Sequence, residues 1–330
     1  MDIYKDRITI YEVAKAAGVS LATVSRVINN KSNVTPDTKK KVEETIARLG
    51  YKPNALAQGL ATNRTTNIGI IIPDTNYVHI SNLLSGMIDI GKIYGYQTTL
   101  FVTKHSKDDA KDVIGKLITS HVDGAIVFDD QLDTEEIEKI SNYNVPLLAI
   151  GHKLHGEKQA SIILNFEDSL KKVIVDHFET NQEPIQFLHV PNNGKLMGLL
   201  EKVALENTPE GKCEILTCSD SYHETYSQFV NYFKKSPHGF FICPRDSLAC
   251  AIQNAALDIG LKVPEQVQVI SIIGTKYSSI ARPTISSFEL DMYEVGSIAM
   301  RMVTKLLKGE LENKEFTFNS NFVLRASTKD

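Results

Sequence analysis

One short segment near the N-terminus has the side-chain types and spacing that nucleic-acid recognition requires. Within residues 20–29, the apolar residues Val24, Val27 and Ile28 repeat at helical spacing, so a helix would bury them on one face. The opposite face then carries mostly short side chains, which let a helix approach base edges closely. We expect this face to contact DNA through Ser20, Leu21, Ala22, Thr23, Ser25, Arg26 and Asn29.

The chemistry of these side chains divides them into two roles. Leu21 and Ala22 suit contacts with thymine methyl groups, and Arg26 is long enough to pair with guanine O6 and N7. Thr23 and Ser25 suit contacts with phosphates, which position a helix without reading the base sequence.

Helix signals on both sides of this segment predict a helix-turn-helix. Thr9 and Glu12 have the spacing of a capping box for a first helix, and Gly18 stands where the chain must turn sharply. Pro36 and Gly50 mark the first turn and the end of a third helix. Together the three helices predict a small head domain.

The distribution of charge supports DNA contact by this head. Residues 1–65 contain eleven Lys or Arg and six Asp or Glu, about +5, whereas the whole chain has a net charge of −4. A basic segment joined to an acidic remainder is typical of a protein in which one part alone approaches phosphates. The alternative is a three-helix packing module that touches no nucleic acid, and the charge argues against it.

A second DNA-contacting segment is predicted after the head. Residues 53–60 read Pro-Asn-Ala-Leu-Ala-Gln-Gly-Leu, and we expect a short hinge helix in which Asn54, Ala57 and Leu60 contact the minor groove, with Leu60 as an apolar wedge. A helix of about two turns is marginal alone. We therefore expect it to order only with a twin helix and DNA, which predicts a dimer.

Beyond residue 65 the pattern changes to short apolar strands that alternate with helices, which is typical of parallel α/β lobes. The predicted strands are 68–72, 97–101, 124–128, 145–150, 185–189, 214–217, 239–242 and 267–272. Two such series in succession predict a two-lobed body. Its ligand site would be a cleft beyond the carboxyl ends of the strands.

Composition and motifs argue against several other classes of protein. No segment is long and apolar enough to span a membrane and no apolar signal stretch opens the chain, so we expect a cytoplasmic protein. The four cysteines lack CxxC spacing and are expected to be buried reduced thiols, not metal ligands; they are Cys213, Cys218, Cys243 and Cys250. No phosphate-binding loop, dinucleotide fingerprint, nucleophile elbow or zinc-helix motif occurs. We expect no enzymatic activity, no metal and no cofactor.

Several runs along the chain resemble the LacI/GalR family of bacterial transcription regulators. These runs are 10–14 (Ile-Tyr-Glu-Val-Ala), 22–27 (Ala-Thr-Val-Ser-Arg-Val), 48–54 (Arg-Leu-Gly-Tyr-Lys-Pro-Asn) and 57–60 (Ala-Gln-Gly-Leu). The resemblance covers the whole chain. It implies an α/β protein with an N-terminal helix-turn-helix head and a hinge helix, followed by a two-lobed, periplasmic-binding-protein-like body with parallel sheets.

The resemblance also implies domain limits and a mode of action. The head would be 1–52, the hinge helix and linker 53–65, the N-terminal lobe 66–164 with 291–322, and the C-terminal lobe 165–290 with 323–330. The protein would be a homodimer, mostly a repressor, that binds a pseudo-palindromic operator. Each head would place its 20–29 helix in a major groove of double-stranded DNA.

The predicted cleft departs from the pattern of the family. Members that bind small molecules use an arginine near the start of a second-lobe helix and two aspartates, and these positions read Lys195, Asp246 and Ile273 here. Ile273 cannot replace the hydrogen bonds that a sugar hydroxyl loses on burial, about 1–3 kcal/mol for each unsatisfied group. The candidate cleft residues are Asp74, His79, Lys195, Arg245 and Asp246. Their charges either accommodate an anionic, phosphate-bearing ligand or form ion pairs that keep the lobes closed.

A helix near the C-terminus carries the last candidate site. Residues 292–296 (Met-Tyr-Glu-Val-Gly) and 299–305 (Ala-Met-Arg-Met-Val-Thr-Lys) resemble the catabolite-control branch of the family, whose corepressor is the serine-phosphorylated phosphocarrier HPr. The resemblance implies that this partner contacts Tyr293, Glu294, Arg301 and Lys305. The alternatives are a solvated helix face and, for regulation, a local repressor controlled by a small sugar or sugar phosphate in the cleft.

Two other classes of protein share this body architecture. A sugar-binding transport protein requires an export signal and has no basic head, so detected secretion would favour it. An α/β enzyme requires a catalytic constellation that the motifs do not supply. Turnover of a phosphosugar that Lys195→Ala or Asp246→Ala abolishes would favour the enzyme.

Overall fold

The computed structural model of the protein describes residues 8–52, 65–104, 107–181, 183–191 and 194–329. Contacts divide the chain into two compact units, Met1–Thr65 and Thr66–Asp330, hereafter the head and the body. The predicted hinge contacts Asn54, Ala57 and Leu60 lie outside the described residues. Within the described ranges, no helix is long and apolar enough to cross a membrane.

The head consists of helices α1 (Ile10–Ala17), α2 (Leu21–Ile28) and α3 (Pro36–Leu49). The predicted capping box at the start of α1 is confirmed: the Glu12 carboxylate accepts a hydrogen bond from Thr9 N at 2.7 Å, and Glu12 N donates to Thr9 Oγ1 at 3.4 Å. Gly18 ends α1 in the left-handed region, at φ 64°, where a residue with a Cβ is strained. The predicted turn between α1 and α2 therefore depends on glycine.

Small apolar side chains form the core of the head. The predicted inward residues Val24 and Val27 of α2 are buried, whereas Ile28 is half-buried. They pack against Val13 of α1 and Val42 of α3. Because the core residues are short, α2 lies close to the other two helices and its opposite face is presented to solvent.

The body contains the remaining elements. Its strands are β1 (Asn67–Ile72), β2 (Gln97–Val102), β3 (Gly124–Val127), β4 (Leu147–Ile150), β5 (Gln159–Asn165), β6 (Ile185–His189), β7 (Cys213–Thr217), β8 (Gly239–Arg245), β9 (Val267–Ile273), β10 (Ser286–Glu289), β11 (Glu315–Asn319) and β12 (Asn321–Val323). Its helices are α4 (Val78–Tyr94), α5 (Lys107–Thr119), α6 (Thr134–Asn142), α7 (Glu167–Thr180), α8 (Gly194–Asn207), α9 (Tyr222–Phe233), α10 (Asp246–Asp258), α11 (Lys276–Ile280) and α12 (Met292–Lys308).

Two six-stranded sheets define two lobes of the body. The first lobe has the strand order β11-β5-β4-β3-β1-β2, and the second has β12-β10-β9-β8-β6-β7. All pairs are parallel except β10 with β12. The predicted fold class is therefore confirmed. The chain returns to the first sheet with β11 after the second sheet is nearly complete, and then adds β12 to the second.

Eight strands of the body were predicted from the sequence, whereas β5, β10, β11 and β12 were not among the predicted strands. β10 reads Ser-Ser-Phe-Glu and β11 reads Glu-Phe-Thr-Phe-Asn, so neither contains the apolar run by which the others were recognised. β11 pairs with β5, which lies far away in the sequence. β10 pairs with β9, from which a helix and a loop separate it. Non-local pairing, not local pattern, makes these segments strands.

Helices cover both faces of each sheet, as a parallel sheet with two apolar faces requires. In the first lobe, α4 and α12 pack on one face and α5 and α6 on the other. In the second lobe, α9 and α10 cover one face and α7 and α8 the other. The helices are thereby fixed relative to the strand ends that border the cleft between the lobes.

Helices α4 and α12 cross at very short range because a glycine of each lies at the contact. A Cβ on Gly86 would lie 2.0 Å from Tyr293 O, and a Cβ on Gly296 would lie 2.0 Å from Leu83 O. A larger residue at either position would force the helices apart. This crossing fixes the direction in which the outer face of α12 points.

Candidate DNA-binding face, partner-binding face and interlobe cleft

Helix α2 presents the predicted DNA-contacting residues on one face of the head. Its N-cap is Ser20, whose Oγ accepts a hydrogen bond from Thr23 N at 3.1 Å. Leu21 and Ala22 are exposed at the beginning of the helix, and Thr23 and Ser25 are half-buried. The apolar contacts and the hydroxyl groups thus lie in the first turns, the part of such a helix that enters a groove first.

The polar side chains of this face differ in how many of their hydrogen-bonding groups are already used within the head. The Ser20 and Thr23 hydroxyls are hydrogen-bonded to each other at 2.8 Å, and Asn29 Nδ2 donates to Ser25 O at 2.8 Å. Arg26 is exposed and, among the residues that the structure describes, its guanidinium has no hydrogen-bond or ion-pair partner. Arg26 therefore has all of its donors available.

Tyr11 is an exposed residue of the head that was not among the predicted DNA contacts. It lies in α1, and 70% of its surface is accessible. An aromatic side chain with a hydroxyl, exposed on a basic domain, suits contact with a phosphate or sugar. Its position in the first turn of α1, opposite the buried Val13, was a signal present in the sequence.

The outer face of α12 carries the four residues that were predicted to bind a partner protein. Tyr293, Glu294, Arg301 and Lys305 are all exposed, while the opposite face is buried against α4 and the first sheet. Tyr293 Oη donates to Asp89 Oδ2 of α4 at 3.3 Å. Within the described ranges, neither Arg301 nor Lys305 has an ion-pair partner. The two cations lie one turn apart and form a small basic surface.

A cavity of about 510 Å³ lies between the two lobes of the body. Its walls come from residues that follow the carboxyl ends of strands in both sheets: Tyr77 after β1, Asp129 after β3, Val190 after β6, Asp220 after β7 and Ile273 at the end of β9. This is the position in which ligands of parallel α/β sheets bind. The predicted cleft residues His79, Lys195 and Arg245 also line it.

A first set of interlobe contacts, hereafter the Lys195 contact, joins the loop after β3 to the N-terminus of α8. Lys195 Nζ donates to Leu132 O at 2.9 Å and pairs with Asp133 Oδ1 at 2.7 Å. In the reverse direction, Leu196 N donates to Asp130 Oδ2 at 3.1 Å. Burial raises the pKa of Asp130, although the bond from Leu196 N opposes this effect. The carboxylate occupies the helix N-terminus, the place where a bound anion would be most stable.

A second set, hereafter the Asp220 contact, lies at the other side of the cavity. Tyr77 Oη of the first lobe donates to Asp220 Oδ2 of the second at 2.9 Å. Arg245 forms an ion pair with Asp220, and its guanidinium lies 4.9 Å from the centre of the Tyr77 ring. Both cations predicted for the cleft are thus held in ion pairs with the protein's own carboxylates.

Two of the predicted cleft residues do not face the cavity. Asp74 is not among its lining residues, because its Oδ1 turns back to accept a hydrogen bond from Asn76 N at 2.9 Å. Asp246 is buried, and its Oδ2 accepts hydrogen bonds from the backbone and hydroxyl groups of Thr275 and Ser278. Its role in this structure is to hold α11 against the start of α10.

His79 is half-buried and lies in an aromatic wall of the cavity. Its ring stacks on Tyr77, with 5.6 Å between centroids, and meets the edge of Phe128 at 6.4 Å. Burial, and secondarily the charge of Arg245, lower the pKa of His79 to about 4. The imidazole is therefore neutral near pH 7.

The cysteines are free thiols in the second lobe. Cys218 and Cys243 are buried, whereas Cys213 and Cys250 are half-buried. Burial raises the pKa of Cys213 and of Cys250 to about 11, so both are protonated near neutral pH and are poor nucleophiles. Among the described residues, no group of three or more His, Cys, Asp or Glu is arranged to hold a metal ion.

Three residues that build the cleft were not predicted from the sequence: Tyr77, Asp130 and Asp220. Asp130 and Asp220 follow predicted strands, and their positions at carboxyl strand ends were a signal that could have identified them. Tyr77 follows the predicted strand 68–72 and lies two residues before His79, which was predicted for the cleft, so its position was a signal of the same kind.

Comparison with known families agrees with this geometry. The profile of bacterial regulatory proteins of the lacI family matches residues 9–54, which include α1, α2 and α3. The profile of a periplasmic binding protein-like domain matches residues 201–328 in the body.

Full-length relatives and solved structures extend these matches. Catabolite control protein A of Staphylococcus aureus (strain Mu50) is 32% identical over 335 residues, covering 98% of the chain and 99% of that protein. The HTH-type transcriptional regulator pepR1 of Lactobacillus delbrueckii subsp. lactis is 33% identical over 343 residues, with 98% of each covered.

The lac repressor dimer bound to operator and an anti-inducer aligns with a TM-score of 0.84 at 23% identity over 98% of the chain and 100% of the repressor chain. The transcription regulator CcpA of Lactococcus lactis aligns with a TM-score of 0.67 at 21% identity over 81% of the chain and 100% of its own. At these identities the two structures show the shared fold.

Proposed function

The chain belongs to the LacI family of DNA-binding transcription regulators, and we propose that it binds a pseudo-palindromic operator as a homodimer with serine-phosphorylated HPr as its corepressor. The relatives that establish the family are transcription regulators, not enzymes. The proposal assigns operator contact to the exposed face of α2 and corepressor contact to the outer face of α12.

Operator contact follows from the chemistry of α2. Its first turn exposes Leu21 and Ala22, and Arg26 projects from the same helix with free donors. A short apolar group matches a thymine methyl group, and a guanidinium matches the two acceptors of guanine in the major groove. Two copies of this helix, one from each protomer, would read half-sites one helical turn apart.

Exposed apolar side chains on the first lobe support the homodimer. Ile93 is 76% exposed in the last turn of α4. Tyr94 of the same helix and Leu100 of the edge strand β2 are each 41% exposed. Apolar groups concentrated on one helix and the adjacent sheet edge mark an interaction surface. The lac repressor, whose fold this chain shares, is a dimer in its operator complex.

The observation that carries the corepressor proposal is the outward row of residues on α12. Arg301 and Lys305 lie one turn apart on the exposed face, and Tyr293 and Glu294 lie two turns earlier. A guanidinium pairs with a phosphate through two parallel hydrogen bonds. A phosphoserine carries about −1.5 to −2 charges at neutral pH, so phosphorylation of the partner would strengthen contact with this basic surface.

A binding experiment tests the corepressor proposal. Operator affinity of the full chain would be measured with HPr, with serine-phosphorylated HPr and without either protein. We expect the phosphorylated form alone to increase operator affinity. Arg301→Ala should weaken binding of phosphorylated HPr about tenfold or more, because a charge-assisted hydrogen bond contributes about 1.5–3 kcal/mol.

The control is Lys171→Ala, which removes an exposed cation from α7 of the second lobe. It should leave both affinities at the wild-type value, and Arg301→Ala should leave operator affinity without HPr unchanged. Calorimetry with sugars and sugar phosphates completes the experiment. Tight sugar binding without any effect of phosphorylated HPr would contradict the proposal and favour a small-molecule-controlled repressor.

A further inference from the structure

The walls of the interlobe cavity are mainly apolar. Side chains from both lobes contribute, and the apolar ones include Phe128, Ile150, Leu164, Phe166, Met197 and Ile273. A volume of about 510 Å³ lies within the range of small-molecule pockets, roughly 300–1,000 Å³. The cavity is therefore large enough for an organic ligand, and most of that ligand's surface would contact hydrocarbon.

Most polar groups around the cavity are already bonded to the protein. The Lys195 contact engages Lys195 and Asp130, and the Asp220 contact engages Tyr77, Asp220 and Arg245. A sugar has a hydroxyl on nearly every carbon, and each one that is buried without a partner loses its hydrogen bonds to water. The cavity does not offer the number of free acceptors and donors that a sugar needs.

The charge around the cavity also disfavours an anionic ligand. Four lining residues are acidic, Asp129, Asp130, Glu167 and Asp220, whereas two are basic, Lys195 and Arg245. Both basic groups are paired with carboxylates. At the N-terminus of α8, where a phosphate would bind most favourably, the Asp130 carboxylate already accepts the Leu196 N–H.

Among the described polar residues that line the cavity, Glu167 and His79 have no hydrogen-bond or ion-pair partner; Glu167 is exposed at the start of α7, whereas His79 is half-buried. Its imidazole lies in the cavity wall between Tyr77 and Phe128, and within the described residues neither ring nitrogen has a hydrogen-bond partner. Because its pKa is lowered to about 4, the ring is neutral and offers one N–H donor and one acceptor nitrogen. A neutral imidazole in an apolar wall provides a single point of polar recognition.

We propose that this cavity binds a neutral, mostly apolar ligand that carries one hydrogen-bonding oxygen or nitrogen, and that this atom pairs with the imidazole of His79. Planar aromatic molecules fit best, because the wall of Tyr77, His79 and Phe128 offers ring faces and edges for stacking. The inference concerns ligand binding in the body alone. It is independent of control by HPr, so either proposal can fail without the other.

Titration of the full chain with N-phenyl-1-naphthylamine tests the class of ligand. This neutral fluorescent probe is bright only in apolar surroundings. We expect saturable binding with one site per chain, displacement by 2-naphthol, and no displacement by glucose or glucose 6-phosphate. Absence of saturable probe binding, or displacement by either sugar, would overturn the proposal.

Comparison of 2-naphthol with naphthalene tests the role of His79. The two competitors differ by one hydroxyl, and the wild type should bind 2-naphthol about tenfold more tightly, which corresponds to about 1.4 kcal/mol. His79→Phe keeps an aromatic ring and should remove this preference without weakening naphthalene. His155→Ala, which changes an exposed histidine outside the cavity, should retain the preference. A preference that survives His79→Phe would refute pairing with this side chain.

Energy transfer from a single tryptophan locates the probe without any substitution of His79. The chain contains no tryptophan, so Phe166→Trp introduces one donor in the cavity wall and Tyr143→Trp introduces one at an exposed position before β4, at the amino end of the first sheet. Transfer to the bound probe should be much stronger from position 166. Equal or stronger transfer from position 143 would place the probe outside the cavity and overturn the proposal.

Discussion

Substitution of Arg26 by alanine tests whether α2 reads bases or only holds the DNA backbone. Arg26 is exposed in the last turn of α2 and has no partner within the described part of the head. The substitution therefore breaks no side-chain hydrogen bond or ion pair within the described residues and leaves the buried residues Val24 and Val27 in place. Loss of a cation near the C-terminus of the helix costs the head about 0.3–1 kcal/mol through the helix dipole, so the head should remain folded.

The effect on DNA binding should be larger and specific to sequence. A bidentate arginine–guanine contact contributes about 1–3 kcal/mol of discrimination. At about 1.4 kcal/mol for each factor of ten, this predicts weaker binding to a half-site by roughly 5- to 150-fold. Preference at one base pair of each half-site should be lost together with affinity.

Measurement of operator affinity against a set of singly substituted operators checks this prediction. Arg48→Ala is the matched control, since Arg48 is an exposed arginine in the last turn of α3 and its removal changes charge and helix dipole equally. The control should weaken all DNA sequences to a similar, small extent. The dependence of affinity on salt should be measured for both variants, because each lost phosphate contact reduces the slope by about 0.9.

A uniform loss across all operators on Arg26→Ala, with a salt slope reduced by about one, would refute base reading by this residue. Arg26 would then be a phosphate contact, and the specificity of α2 would have to come from its short side chains.

Three further predictions concern the body. Asp246→Ala should lower the free energy of unfolding by about 2–4 kcal/mol in chemical denaturation, because it leaves the half-buried N–H of Thr275 and the buried N–H of Ser278 without an acceptor. Asp246→Asn, which keeps one acceptor oxygen, should lower this free energy less. Lys195→Met should change the free energy of unfolding by less than about 1 kcal/mol, because the side chains of Lys195 and Asp133 in this ion pair are both about half exposed. A larger loss would show that the Lys195 contact is stronger than an exposed ion pair. The pKa of His79 is lowered from 6.5 to about 4 in the folded protein. Between pH 6.5 and pH 4, the unfolded chain therefore binds a proton at this residue that the folded protein does not bind. The contribution of His79 to the free energy of unfolding should fall by about 3 kcal/mol as the pH decreases over this range. His79→Phe should remove this part of the pH dependence, and an unchanged profile in that variant would show that other groups cause it.

Local chemistry determined the head of this protein. The capping box of Thr9 and Glu12, the left-handed Gly18 and the end of α3 at Gly50 depend on interactions within a few residues. The buried face of α2 follows from the helical spacing of its apolar residues Val24, Val27 and Ile28, which are also close together along the chain. These features were readable from the sequence because each interaction joins residues that are neighbours along the chain.

The same holds for the strands in the middle of each sheet. Strands such as β1 and β9 are buried on both faces and therefore appear as continuous apolar runs. The sequence also indicated the outer face of α12, since the residues between its buried positions are charged or aromatic. The domain limits and the role of each exposed residue remain predictions.

Tertiary structure alone decided the cleft. Lys195 and Asp133 lie 62 residues apart, and Tyr77 and Asp220 lie 143 residues apart, so no local pattern shows that they meet. Asp246 has the same residue type as a ligand-binding carboxylate, yet two residues about thirty positions away use its hydrogen-bonding capacity. A sequence shows which groups can accept a hydrogen bond, whereas the fold decides which partner reaches them first. For that reason the residue types predicted a polar, charged cleft. In the folded chain most of those charges pair with one another, and they leave a mainly apolar cavity with the imidazole of His79 in its wall.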